Sequence, residues 1–173
     1  METQKTSAKK IIINYGVLLG ILSVLLGAII YITNSYKDPN WIFSVLGVGI
    51  LTAVIILAIK AFKKANGGFL TLGEALKVGI GTALIGGLIG AIWTLVLTNV
   101  LEPDYMQQVM EVQKEKMLDQ GLSEEQIEAS AEMMEKFSNP LISVAFSLIG
   151  NLFFGFIISL IGGLIMQKKQ DLY

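Results

Sequence analysis

The chain has 173 residues, of which 53% are hydrophobic and 16% charged, and its net charge is −1, whereas a soluble domain carries about 25% charge. Its uncharged stretches are too long for a water-facing domain, which excludes a soluble α/β enzyme. Cys, His and Arg are absent, removing disulfides, thiol or imidazole catalysis and the usual zinc and haem ligands, so no metal, cofactor or nucleic acid is expected as a partner.

After a tail over 1–10, no charge interrupts the chain between Lys10 and Lys37, and the apolar part, 11–32, has 22 residues. At about 1.5 Å per residue that is enough to cross a hydrocarbon layer of about 30 Å, so it predicts a first transmembrane helix. Lys5, Lys9 and Lys10 would also suit a signal peptide, but Thr33-Asn34-Ser35-Tyr36 offers no small-x-small cleavage pattern. Asp38-Pro39-Asn40 predicts a turn, and the second apolar run, 41–59, then forms an antiparallel hairpin with the first. Lys60, Lys63 and Lys64 close this span, and Asn66-Gly67-Gly68 breaks the helix. In the loop 60–77, Thr71-Leu72-Gly73-Glu74 has the form of a capping box, which starts a new helix near Leu72 and leaves Glu74 a capping rather than a catalytic carboxylate. The third span is 78–101, ended by Glu102-Pro103-Asp104. The fourth, 141–166, follows Asn139-Pro140 and leads to a short tail, 167–173.

Basic residues are retained on the cytoplasmic side of a membrane, while acidic ones count for little. Lys5, Lys9, Lys10, Lys60, Lys63, Lys64, Lys77, Lys168 and Lys169 lie on one side, against Lys37, Lys114, Lys116 and Lys136 on the other. Both termini are therefore expected in the cytoplasm. Tyr31, Tyr36, Trp41 and Tyr105 fall at the outer boundary, with Tyr15, Phe62 and Phe69 near the inner one, as interfacial aromatics do.

The segment 102–140 carries ten acidic residues against three Lys and is placed outside the membrane. Asp104 to Gln120 lacks Gly and Pro and is rich in helix formers, with Met106, Met110, Gln113 and Met117 along one face. Gly121 ends that helix. Ser123 and Gln126 make a second capping box, flanked by Leu122 and Ile127 at the staple positions, and Ile127, Ala131 and Met134 form the stripe of a second helix. An extracytoplasmic αα-hairpin is the result. Five of the seven Met lie in it, and thioethers suit Cu(I). With no His or Cys beside them, packing in the seam is the simpler role.

No Asp, Glu, Lys, Arg or His lies within the four spans, and such groups mark proton relays and ion-coupled transporters. The spans instead carry small residues four apart, which let backbones approach closely in lipid. The third has two adjacent rows, Gly79-Ala83-Gly87-Ala91 and Thr82-Gly86-Gly90-Thr94, so two neighbours could approach it at once, with Gly86 and Gly90 the least replaceable. The fourth has Ser143, Ser147, Asn151, Gly155, Ser159 and Gly163, and the first has Gly16, Gly20 and Gly27. The rival account of this pattern is a polar-lined pore with Asn99 and Asn151 facing water. Gly86-Gly87 could also kink the helix.

The loop entering the third span, Gly68-Phe69-Leu70-Thr71-Leu72-Gly73-Glu74-Ala75-Leu76-Lys77-Val78-Gly79, resembles the Gly-Glu-Ala-x-Lys segment of a bacterial family labelled domain of unknown function 4199. Asn14-Tyr15-Gly16 with Gly20, and the Gly-rich fourth span ending in Lys168-Lys169, are similar to it as well, although Leu76 stands where an aromatic is expected. The resemblance implies a four-helix integral membrane protein of the bacterial cytoplasmic membrane, with no established activity and no catalytic residues. The expected molecule is all-α, with four spans and an outer helical hairpin. It is expected to be no enzyme but an interaction or assembly component whose partners are the lipid bilayer and another membrane protein or a second copy, with a small-solute transporter or pore subunit as the alternative.

Overall fold

A computed structural model of the chain describes residues 8–38, 40–137 and 139–168. Six α-helices follow one another: α1 (Ala8–Ile32), α2 (Trp41–Ala65), α3 (Leu72–Val96), α4 (Tyr105–Asp119), α5 (Glu124–Phe137) and α6 (Pro140–Met166). A π turn, Leu97–Leu101, continues α3. Four segments are long and apolar enough to cross a membrane: α1, α2, α3 with its π turn, and α6. The protein is a multi-pass membrane protein.

Local chemistry sets where these helices begin. Asn40 caps α2 by accepting the amide of Ile42 at 3.0 Å, and Asn139 caps α6 by accepting that of Leu141 at 2.9 Å, with Pro140 in the first turn where no amide is needed. At α3, Thr71 Oγ1 accepts the amide of Glu74 at 3.3 Å while Glu74 Oε2 accepts the amide of Thr71 at 2.8 Å, so the expected capping box is formed. The box of α5 forms too, between Ser123 and Gln126.

Helix α3 is the centre: α1 and α6 pack along it most extensively, and α2 touches all three. The two small-residue rows explain this arrangement. One row meets α6 in antiparallel register, where a Cβ on Gly79 would strike Ser159, one on Gly155 would strike Ala83, one on Gly87 would strike Asn151, and one on Gly163 would strike Ala75. The other faces α1, with Gly86 against Leu19. A third line of α3, Ile85, Ile89 and Trp93, drops its large side chains onto Gly16, Gly20 and Gly27 of α1. Small residues on one helix thus receive large ones from the next, which is how helices associate where lipid removes the hydrophobic incentive.

The largest fully buried side chains, Ile55, Ile59, Leu70, Val78, Thr82 and Ser159, all lie in the half of the bundle nearer the lysines. The buried hydroxyls of Thr82 and Ser159 donate to their own helices, at Val78 O and Gly155 O. Among the described residues no buried side-chain polar atom lacks a partner.

Several expectations need correction. Gly90 has open space rather than a neighbouring backbone around it, and Ser147 is exposed and donates to Val144 O, so neither makes the helix contact expected of it. Both lie beyond the level at which the four helices close. Helix α3 runs without interruption through Gly86-Gly87, from Leu72 to Val96. The irregularity comes at the π turn, where Thr98 Oγ1 donates to Thr94 O at 2.9 Å and Asn99 Nδ2 to Leu95 O at 2.8 Å, so side chains take up carbonyls near the widened ladder. Helix α2 runs past its apolar span to Ala65, carrying Lys60, Lys63 and Lys64 in its last turns. Lys169 lies outside the described residues.

Removing the box carboxylate isolates its contribution. Glu74→Ala should lower stability by about 1 kcal/mol, the usual cost of losing a cap, in thermal unfolding of the detergent-solubilised protein. Glu111→Ala, on an exposed position of α4, should leave the midpoint unchanged.

Candidate functional site

The lysine-rich end is tied by backbone. Leu70 and Lys168 form an isolated antiparallel bridge, with the Leu70 amide donating to Lys168 O at 2.9 Å and the Lys168 amide to Leu70 O at 2.8 Å. Lys63 Nζ donates to Met166 O at 2.7 Å, satisfying a carbonyl at the end of α6, where a cation also complements the helix dipole. The Lys168 ammonium stands 5.7 Å over the Phe69 ring. Asn66 joins the loop to the capping box, donating from Nδ2 to Phe69 O at 3.2 Å and to Glu74 Oε1 at 3.5 Å. Gly67 and Gly68 turn the chain at φ values of 68° and 88°, which only glycine adopts without strain.

The segment singled out in the sequence, Gly68 to Gly79, is therefore a structural clamp. Leu70 sits fully buried, Thr71 and Glu74 start α3, and Ala75 and Gly79 receive α6. The model of a family described as a protein of unknown function, DUF4199, matches residues 14–168, a stretch that ends at the residue paired with Leu70. The chain belongs to the DUF4199 family. No curated protein and no solved structure matches the chain.

At the other end of this DUF4199 protein, polar side chains fix the hairpin α4–α5 to the bundle. The Tyr36 hydroxyl donates to Gln108 Oε1 at 3.0 Å, Gln108 Nε2 donates to Glu102 Oε1 at 2.7 Å, and the Tyr31 hydroxyl reaches Glu102 Oε2 at 3.4 Å. The rings of Tyr36 and Tyr105 lie 4.8 Å apart. Tyr36 is buried within this cluster, and Lys37 Nζ stands 5.5 Å from its ring. The Lys116–Asp38 ion pair is exposed, and pairs of that kind contribute little.

Between α4 and α5, Met110, Met117, Ile127, Ala131 and Met134 line an apolar groove of about 290 Å³. Met133 points away, 62% exposed. Three of the five Met thus line the seam between the helices.

The bundle itself contains a larger crevice of about 510 Å³, walled by all four long helices: Ser23 of α1, Ser44 and Gly47 of α2, Gly90 and Thr94 of α3, and Ser147 and Asn151 of α6. Of the predicted packing residues, Gly79, Ala83, Gly155 and Ser159 are in the closed half. Gly86, Gly87 and Ala91 form its floor and wall, with Gly90 and Ser147 in the open part. Asn151 Nδ2 donates across to Ala83 O at 2.9 Å, locking α6 to α3. Asn99 is exposed on the π turn and bonds within its own helix, so the two asparagines do not share a passage. The caps Asn40 and Asn139 were missed in the sequence, although an Asn directly before each apolar run was a usable signal.

Burial pushes the Tyr105 phenol above its ordinary range, and the neighbouring Tyr36 adds to the effect. The folded state thus holds this phenol neutral more strongly than the unfolded chain does, so stability is level below about pH 10 and falls as pH rises through and beyond that value. In a phenolate absorbance titration, the component removed by Tyr105→Phe should titrate later than the ordinary tyrosine. Ordinary titration of that component would show that the cluster is open to solvent.

Proposed function

We propose that this DUF4199 protein is a non-catalytic assembly component of the bacterial cytoplasmic membrane, with both termini in the cytoplasm and the α4–α5 hairpin outside, where it engages another membrane protein or a second copy of the chain. The observation that carries the reading is the hairpin's attachment: Tyr31, Tyr36, Glu102 and Gln108 hold a strongly acidic helical pair in fixed relation to the spans. An exposed and charged element attached in this way to a membrane anchor is suited to recognition. The lysines support this orientation, since Lys9, Lys10, Lys60, Lys63, Lys64 and Lys168 gather at one end of the helices and basic residues are retained on the cytoplasmic side. The absence of charged groups within the spans supports a role without proton or ion coupling.

A solute pathway is favoured by one feature, the crevice. Against it stands the floor: below Leu51 and Gly87 the helices close on fully buried Ile55, Thr82 and Ser159.

Topology and partnership can be read in the same cells. A reporter fused after Gly121 should be active only outside, and reporters after Lys64 and Tyr173 only in the cytoplasm. A photoreactive residue in place of the exposed Met133 should give one dominant protein adduct. Cytoplasmic activity of the Gly121 fusion would reject the orientation, and labelling of lipid alone would reject the assembly role.

A further inference from the structure

We propose that the crevice between the four long helices is a lipid site that takes one acyl chain from the membrane leaflet at the hairpin end. This inference is independent of the assembly role. Its first support is length. Along α3 the crevice runs from Gly86 to Thr94, which at about 1.5 Å per residue is about 12 Å, close to half of a hydrocarbon core of about 30 Å. It is thus about as long as one leaflet is deep, and it stops where the packed half begins.

Its volume of about 510 Å³ lies within the range of about 300–1,000 Å³ typical of ligand pockets. The walls stand apart: Gly90 on α3 and Gly150 on α6 have nothing within 4 Å of where a Cβ would stand. The mouth is continuous with the lipid-exposed surface of the bundle, because Val48 and Phe154 both line the crevice and are 49% and 47% exposed.

The chemistry of the lining selects hydrocarbon over a polar solute. No charged side chain lines it. Two of its four hydroxyls are turned into their own helices, Thr94 Oγ1 donating to Gly90 O at 3.2 Å and Ser147 Oγ to Val144 O at 3.0 Å, Asn151 Nδ2 is engaged by Ala83 O, and the remaining polar side chains, Ser23 and Ser44, are small among a lining otherwise of apolar side chains and glycine. A void open to lipid and lined this way is filled by the medium it faces.

The chain has two tryptophans, and one of them, Trp93, lines the crevice. The full-length Trp41→Phe variant, reconstituted in phosphatidylcholine vesicles, makes Trp93 the sole indole. With chains brominated at mid-leaflet depth, Trp93 emission should be strongly quenched relative to the unbrominated lipid, and aqueous iodide should have little effect. Gly90→Leu or Gly150→Leu in that background fills the crevice and should abolish most of the bromine quenching. Gly49→Leu, placed in open space outside the crevice, should not. Using two filling variants on opposite walls keeps the test decisive if one of them fails to fold. Quenching unchanged by the filling variants, or lowered equally by Gly49→Leu, would overturn the proposal. Quenching by iodide instead of bromine would mark a wet vestibule, and protection from both reagents that is lost on diluting the protein in the bilayer would mark a second copy in the crevice. Either result would also overturn it.

Discussion

Helices in a bilayer gain nothing from hydrophobic exclusion, so this bundle depends on how closely α3 lets its neighbours approach. The decisive contacts are those where a glycine or alanine on one helix meets a side chain from another: Gly79 with Ser159, Ala83 with Gly155, and Gly16 and Gly20 with Ile85 and Ile89. A methyl group at any of these glycines would collide with its neighbour. Because the α3–α6 contacts recur every four residues in antiparallel register, they also fix how far one helix is shifted along the other. The clamp of Leu70 on Lys168 and the Asn151–Ala83 bond then hold that register at each end of the shared interface.

The same constraint divides the molecule into two unlike halves. Toward the lysines the helices meet closely, the core is dry and complete, and the connecting loop is tied down by backbone bonds. Toward the hairpin α6 parts from α3, since Gly90 and Gly150 have no counterpart to receive them, while α1 stays against α3 through Trp93 on Gly27 and the tyrosine cluster adds contacts at the exit of α3. The π turn sits at this transition. It widens the helix just before Glu102 has to reach Tyr31 and Gln108, and an extra residue in a turn re-aims all that follow.

Much of this architecture was legible in the sequence because its signals are local. Uninterrupted apolar length defined the four long helices, the Thr71–Glu74 and Ser123–Gln126 spacings located two helix starts, and the paired rows on α3 implied two neighbours. What was not legible depends on the third dimension. Four-residue spacing continues through Gly90 unchanged, and nothing local records that α6 has diverged from α3 by that level. Tyr36 looks like any interfacial aromatic until Tyr105 and Gln108 are brought beside it. The π turn has no sequence signature of its own, although Thr98 and Asn99, whose side chains can bond to backbone carbonyls, are residues that tolerate one.

The account stands most directly on the contrast between two glycines of one helix. Replacing a helical glycine by alanine favours the helix by about 0.5–1 kcal/mol when nothing else changes, so propensity alone predicts that Gly79→Ala and Gly90→Ala both stabilise α3. Reversible unfolding of each variant in the same mild detergent separates that expectation from close packing. Gly79→Ala should be less stable than the parent, because the new methyl meets Ser159 and Ile55, and Gly90→Ala should be equally or more stable. If the two variants shift in the same direction by the same amount, the close approach of α6 to α3 is not what holds this protein together.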